Sequence, residues 1–289
     1  MGKLGTTFTR IEENMPELPE VQTVINNLTP LITGRTVKEI DLLYPKMIQN
    51  DLVEFNQKII GRKFIGIRRR GKYLLFDLSD GQTLISHLRM EGKYSVLKDP
   101  EELPKHSHVV FWLDNGEKLV YHDTRKFGRM HLVSTNEVDQ TKEIKKLGLE
   151  PFSSEFTPEA LFAMLQKKKG KIKVVLLSQE VVVGLGNIYV DEVLYAAKIH
   201  PASISANLTL NDAKEIWQAT KEILKKAIKY GGTTIFSFKN ANGDIGHFQD
   251  YLKVHSQEGA TCKRDGHLVE KIKLDGRSTY FCPQCQILK

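Results

Sequence analysis

Cysteine is scarce in this chain of 289 residues: there are three, Cys262, Cys282 and Cys285, all near the C-terminal end. An odd, clustered set excludes the framework of a secreted disulfide-bonded protein. It fits a metal site kept reduced in the cytoplasm, the compartment expected here. Long apolar runs are also missing. No stretch of about 18 apolar residues occurs, so no membrane span is expected. Neither an internal repeat nor a low-complexity segment is present, which argues against a solenoid. Residues 1–14 lack the apolar core of a signal peptide, although Met1-Gly2-Lys3-Leu4-Gly5-Thr6 loosely matches the short myristoylation pattern. Acidic residues are outnumbered, 35 to 42, giving a net charge of +7. That balance suits a polyanionic partner, with nucleic acid the first candidate.

What is present is organised around Met15-Pro16-Glu17-Leu18-Pro19-Glu20, two prolines and two carboxylates just before an amphipathic stretch. A proline at a helix start needs no chemistry to explain it. If Met15 is the true start and is removed, however, Pro16 carries a free secondary amine. An α-amino pKa of roughly 7.7–8.0 leaves part of it neutral and nucleophilic near pH 7. A secondary amine attacking a sugar carbon forms a cationic iminium, an electron sink for later eliminations. Glu17 beside it could move protons. The expectation is that residues 1–14 are an extension from an upstream start. Glu12-Glu13-Asn14 can be encoded by a purine-rich run resembling a bacterial ribosome-binding site.

Val21, Val24, Ile25 and Leu28 mark one face of a first helix, which Gly34 can end. Seven short β-rich runs follow: 37–43, 63–69, 73–78, 83–88, 108–113, 118–122 and 130–133. Asp80-Gly81 and Asp114-Asn115-Gly116 supply turn signals, and the pattern predicts a β-sandwich or barrel. A linker is expected over 148–157. Beyond it the chain reads helical: Thr157-Pro158-Glu159 opens one helix and 187–197 forms another. Thr209 and Asp212, at capping-box spacing, open a long one that Gly231-Gly232 stops. Residues 240–246 read as a polar, glycine-rich loop. The expected class is α+β and multidomain: an extension over 1–15, a β-sandwich over 16–148, a helical domain over 149–245 and a metal-binding hairpin over 246–289.

Several clusters carry chemistry. Arg68-Arg69-Arg70-Gly71-Lys72 suits a phosphate backbone or is a solvated hairpin tip. Lys167 to Lys173 is a stronger basic run. Gly184-Leu185-Gly186-Asn187 opens a helix whose N–H groups can bind an anion. Phe127, between basic residues in Asp123–Gly128, can wedge between base pairs while Arg125 fills the vacated stack, or it is core. Cys282-x2-Cys285 is half of a zinc ribbon; Cys262 with Asp265 or His267 can supply the rest.

Taken in order, seven motifs resemble the formamidopyrimidine-DNA glycosylase family over nearly everything from Met15 to Gln286. They are residues 15–20, Arg69–Leu74, Ser86–Gly92, Lys105–His108, Asp123–Gly128, Gly184–Tyr189 and Gly276–Gln286. Leu18 favours this family over endonuclease VIII, whose pattern has glycine there. The resemblance implies an N-terminal helix with a two-layer β-sandwich, a helix-two-turn-helix domain and a zinc finger with one structural Zn2+. It implies a monomer acting on double-stranded DNA that contains oxidised purines or abasic sites. Pro16 would be the nucleophile, Glu17 the acid/base, Lys72 an aid to β-elimination and Arg277 to δ-elimination. Met90, Arg125 and Phe127 would fill the gap left by the flipped base. His106, Arg125, Lys168, Lys173 and Asn187 would contact phosphates, and a loop near 234–248 would cover the base. The sequence departs from the pattern at Phe236, at Val254-His255-Ser256-Gln257 and at Asp265, which stands where a ligand cysteine is usual. A non-catalytic damage-binding homologue is the alternative reading.

Overall fold

The computed structural model describes residues 15–233 and 246–289. Helix α1 (Leu18–Ile32) leads into two four-stranded antiparallel sheets. One has the order β1 (Val37–Leu42), β6 (Ser107–Leu113), β7 (Glu117–His122), β5 (Lys93–Lys98). The other runs β2 (Phe64–Arg70), β3 (Tyr73–Leu78), β4 (Gln82–His87), β8 (Arg129–Ser134). Alternating side chains such as Phe64, Phe76, Phe111 and Tyr121 meet between the layers, the usual consequence of a two-residue side-chain period. Asp80 and Gly81 both take positive φ, 59° and 66°, so the β3–β4 connection is the tight hairpin turn that matches strand twist.

Helices α3 (Pro158–Gln166), α4 (Ile172–Leu177), α5 (Asn187–Ala196) and α6 (Leu210–Lys229) build a second core. The capping box at α6 forms: Asp212 N–H donates to Thr209 Oγ1 at 3.2 Å, and Thr209 N–H to Asp212 Oδ2 at 2.9 Å. A two-stranded hairpin, β9 (Glu270–Leu274) and β10 (Arg277–Phe281), closes the chain. Three elements have no counterpart in the sequence pattern: β5, the eight-residue helix α2 (Leu52–Ile59) capped by Asp51, and α4. The expected loop over 240–246 and Phe236 lie outside the described residues, except Gly246.

Helix α1 joins the two halves. Val21, Val24, Ile25, Leu28 and Ile32 pack into the sandwich, whereas Leu18, at the first turn, packs into the helical core. Burying Leu18 in that second core fixes where residues 15–17 emerge. Across the seam, Glu150 gathers the β2–β3 hairpin: its carboxylate accepts from Gly71 N–H, from Arg69 Nη1 at 2.8 Å and from Arg70 Nη1 at 3.4 Å. Arg70 also donates to the carbonyls of Leu147 and Gly148, while Arg68 pairs with Asp77. Arg69 and Arg70 therefore clamp the two domains, whereas Arg68 stays on the sandwich surface beside Asp77. Glu150→Ala should remove charge-assisted bonds costing about 2 kcal/mol in stability. Thermal unfolding should show a Tm lower by several degrees.

Candidate active site and nucleic-acid interface

The seam opens into a cleft of about 700 Å3, and Glu17, Lys72, Met90, Phe127, Asn187 and Arg277 all line it. Met15 lines it too, so the chain on both sides of Pro16 faces the cleft; Pro16 itself is half-buried. Residues from the sandwich, the helical domain and the terminal hairpin thus converge on one place, as the motifs implied.

Glu17 is buried, at 2% exposure, and its carboxylate sits on the N-terminus of α5. It accepts N–H groups from Gly186, from Ile188 at 2.9 Å and from Tyr189 at 3.4 Å. The anion awaited by the Gly184–Asn187 motif is therefore a side chain of the protein itself. The glycines follow from this: a Cβ on Gly186 would overlap the Glu17 carboxyl, and one on Gly184 would overlap Leu18. Burial pushes the Glu17 pKa up to about 7; Glu20 adds to the rise, while Lys72 and the backbone donors pull against it. A carboxyl poised near neutrality can both give and take a proton. Lys72, buried at the β2–β3 turn, is held below its ordinary pKa by burial and by Arg277, with Glu17 and Glu20 opposing. That increases its neutral fraction, the form a base needs.

Opposite these groups lie two loops. Phe127 is 47% exposed, with the Arg125 guanidinium 5.1 Å from its ring centre. Buried Asp123 shapes this loop by accepting N–H groups from Arg125, Phe127 and Gly128 at 2.8–2.9 Å. The Met90 turn depends on His87, whose Nδ1 accepts the Arg89 N–H at 2.9 Å while Arg89 adopts φ 57°. Burial, helped by Arg89 and Lys72, lowers the His87 pKa to about 3 and keeps that acceptor unprotonated. Sequence reasoning assigns no role to Asp123 or His87. Asp123 was detectable as an Asp two residues before a loop amide; His87 left no such signal.

The remaining candidates are dispersed. His106 is exposed at φ 64°, beside the Phe127 loop, since its carbonyl accepts the Asp123 N–H. Lys168 is partly exposed and paired with Glu180 at 2.6 Å. Lys173 differs from its surface expectation: it is fully buried, with Nζ donating to Asp191 Oδ1 at 2.7 Å and to the Ser278 carbonyl at 3.0 Å. Here it supports the cleft floor rather than presenting its charge. Asn187 Nδ2 donates to the same Ser278 carbonyl at 3.0 Å.

At the far end of α5, ligand atoms of Cys262, Asp265, Cys282 and Cys285 lie within 4.8 Å of one another. Cys262 and Cys285 Sγ are 4.0 Å apart, and Cys282 Sγ is 3.2 Å from Asp265 Oδ2. A tetrahedral Zn2+ with Zn–S bonds of about 2.3 Å needs donors at roughly such separations. Three thiolates and a carboxylate therefore fit Zn2+. His267 stands outside the group, with its ring 3.7 Å from Asp265.

Two outcomes are expected. Glu17 has a native pKa above its unfolded 4.5. Its contribution to stability is thus complete below pH 4.5 and is lost as pH rises through 7. Between about pH 5 and about pH 8, the Tm of Glu17→Gln should fall less than that of the parent. The pH–rate profile of any reaction at the cleft should lose an ionisation near 7 in the same variant. Second, Asp265→Cys should slow zinc release to a chromogenic chelator, because a thiolate replaces a weaker oxygen ligand.

Three family models match the chain: the formamidopyrimidine-DNA glycosylase N-terminal domain over 15–130, its H2TH domain over 147–239, and the zinc finger found in FPG and IleRS over 259–287. The chain is 49% identical to the formamidopyrimidine-DNA glycosylase of Lactobacillus helveticus over 274 residues, covering 95% of this chain and 99% of that one. It is 47% identical to the Streptococcus pneumoniae protein of that name, covering 94% and 99%. Among solved structures, the Lactococcus lactis Fpg in complex with abasic-site DNA matches with a TM-score of 0.87 at 41% identity, covering 93% and 99%. A mutant of the same protein with Fapy-dG DNA matches with a TM-score of 0.88 at 41% identity, covering 94% and 99%. The chain belongs to the formamidopyrimidine-DNA glycosylase family.

Proposed function

We propose that this protein is a cytoplasmic base-excision-repair glycosylase that removes oxidised purines from double-stranded DNA and then cuts the strand as an abasic-site lyase. The observation that carries the proposal is a buried carboxyl with a pKa near 7, adjacent in sequence to Pro16, in a cleft that also holds Lys72 and Arg277. C1′ chemistry needs the damaged nucleotide out of the stack. Phe127 and Met90, with Arg125 beside the ring, supply the wedge and filling for that gap.

The neutral Pro16 nitrogen attacks C1′, the bond to the base breaks, and the base leaves with the bonding pair and a proton. The nitrogen then gives up its own proton, the C1′–O4′ bond opens, and Glu17 delivers a proton to O4′. The product is an iminium. It acidifies C2′, so a base, assisted by Lys72, takes that proton as the 3′ phosphate departs. Arg277 assists loss of the 5′ phosphate in the second elimination, and water releases the sugar fragment from Pro16. Cys262, Asp265, Cys282 and Cys285 would hold a structural Zn2+, which would tie down the end of the hairpin that carries Arg277.

The scheme requires Pro16 to be a free amine. In its support, the N-terminal family model begins at residue 15. The test is borohydride trapping on duplex DNA containing an abasic site or 8-oxoguanine. Protein beginning at Pro16 should give a covalent adduct, protein retaining residues 1–15 should give none, and Pro16→Gly should give less. Undiminished trapping by the longer form would place the nucleophile elsewhere. Tight binding with no adduct from any form would identify a damage-binding protein without chemistry.

A further inference from the structure

We propose that His255 is a positioning residue for strand β10, acting through Asp191 on the backbone that presents Arg277. Helix α5 carries two consecutive buried carboxylates, Asp191 and Glu192. Glu192 accepts the backbone N–H groups of Lys253, Val254 and His255 at 2.9–3.0 Å, which fixes the His255 backbone against the helix. Asp191 then takes three donors. Its Oδ1 accepts from Lys173 Nζ at 2.7 Å; its Oδ2 accepts from His255 Nδ1 at 2.9 Å and from Tyr280 N–H at 3.3 Å.

The target of this arrangement is the edge of β10 that faces away from β9. All five residues of β10 lie opposite residues of β9 across the two-residue turn 275–276; in such a hairpin Arg277, Thr279 and Phe281 take the hydrogen-bonded positions, so Ser278 and Tyr280 turn their backbone groups outward. The Ser278 carbonyl is taken by Lys173 and Asn187, and the Tyr280 N–H by Asp191. Both bonds flank Thr279, and the nearer lies one residue from Arg277. His255 controls the rotation of the Asp191 carboxylate. Without an Nδ1–H donor, Oδ2 keeps only the longer backbone bond, and the carboxylate can turn toward the Lys173 ammonium. Lys173 then loses its bond to Ser278, whose carbonyl is left to Asn187 alone, and the edge is weakened at two points together.

His255 is well suited to this single role. It is 1% exposed, its ring stands edge-on to Tyr280 with centres 5.0 Å apart, and Nε2 has no protein partner among the described residues. Because a carboxylate only accepts, Nδ1 must carry the proton.

The activity readout rests on the proposed function, so the experiment pairs it with one that does not. His255→Leu removes the donor at similar volume; His255→Asn restores it, since the Asn amide nitrogen lies where Nδ1 was. Amide hydrogen exchange of the peptide covering 277–281 should quicken in the Leu variant and return toward the parental rate in Asn. On abasic-site DNA, the ratio of δ- to β-elimination product should fall severalfold in Leu and recover in Asn, with trapping yield changed less. Should Leu not fold, His255→Phe, which keeps an aromatic ring beside Tyr280 but has no donor, takes its place with the same expectation. Unchanged exchange over 277–281, or equal behaviour of the donor-free and Asn variants, overturns the proposal. If the parent itself makes no strand cut, the glycosylase-lyase reading fails and the exchange result alone decides this one.

Discussion

A carboxylate on a helix end governs this structure. Glu17 takes the first amides of α5, groups that no backbone carbonyl within the helix can satisfy. Buried without them, an ionised glutamate would be costly. With them, and with Lys72 near, burial still wins but only in part, and the carboxyl is pushed up to about 7 rather than kept neutral throughout. The rest of the fold serves to bring that side chain to that helix. Leu18 leaves the sandwich to pack in the helical core, and the glycines at 184 and 186 keep the approach open.

From this junction α5 works as an axle. Its N-terminus holds the Glu17 carboxyl. Its middle holds the segment 253–255 and the edge of β10 through Glu192 and Asp191. Its last carbonyls, those of Tyr195 and Ala196, accept from Arg264 in the metal loop, where a cation also complements the helix dipole. The metal-ligand group and the buried Glu17 carboxyl thus lie at opposite ends of one helix. A basic protein of net charge +7 adds the general attraction for a polyanion.

Much of this was legible in the residues. Hairpin turns at Asp80-Gly81, the capping box at Thr209–Asp212 and the apolar stripe of α1 each rest on local chemistry, and each formed where local chemistry placed it. Several motif residues, among them Glu17, Lys72, Met90, Phe127, Asn187 and Arg277, meet in one cleft. What escaped was set by tertiary context. Strand β5 begins and ends in lysine, and α2 and α4 are too short for a helical period to assert itself. Lys173 lies in a run of lysines that reads as a wet surface, and only the folded chain places Asp191 and Ser278 beside it. The arginines at 68–70 likewise find their partners at Asp77, Leu147, Gly148 and Glu150, mostly distant in sequence.

The aspartate at 265 alters how the metal knuckle meets an oxidant. Three sulfurs cannot all pair with one another, so stripping the metal and oxidising the thiols closes at most one disulfide. Cys262 and Cys285, with sulfurs 4.0 Å apart, are one candidate pair. One thiol always remains beside that bridge, and as a thiolate it can attack and exchange it. Four cysteines could seal themselves into two bridges; this set keeps a resident nucleophile, which can pass the bridge among the three sulfurs and leaves its reduction to a thiol from outside.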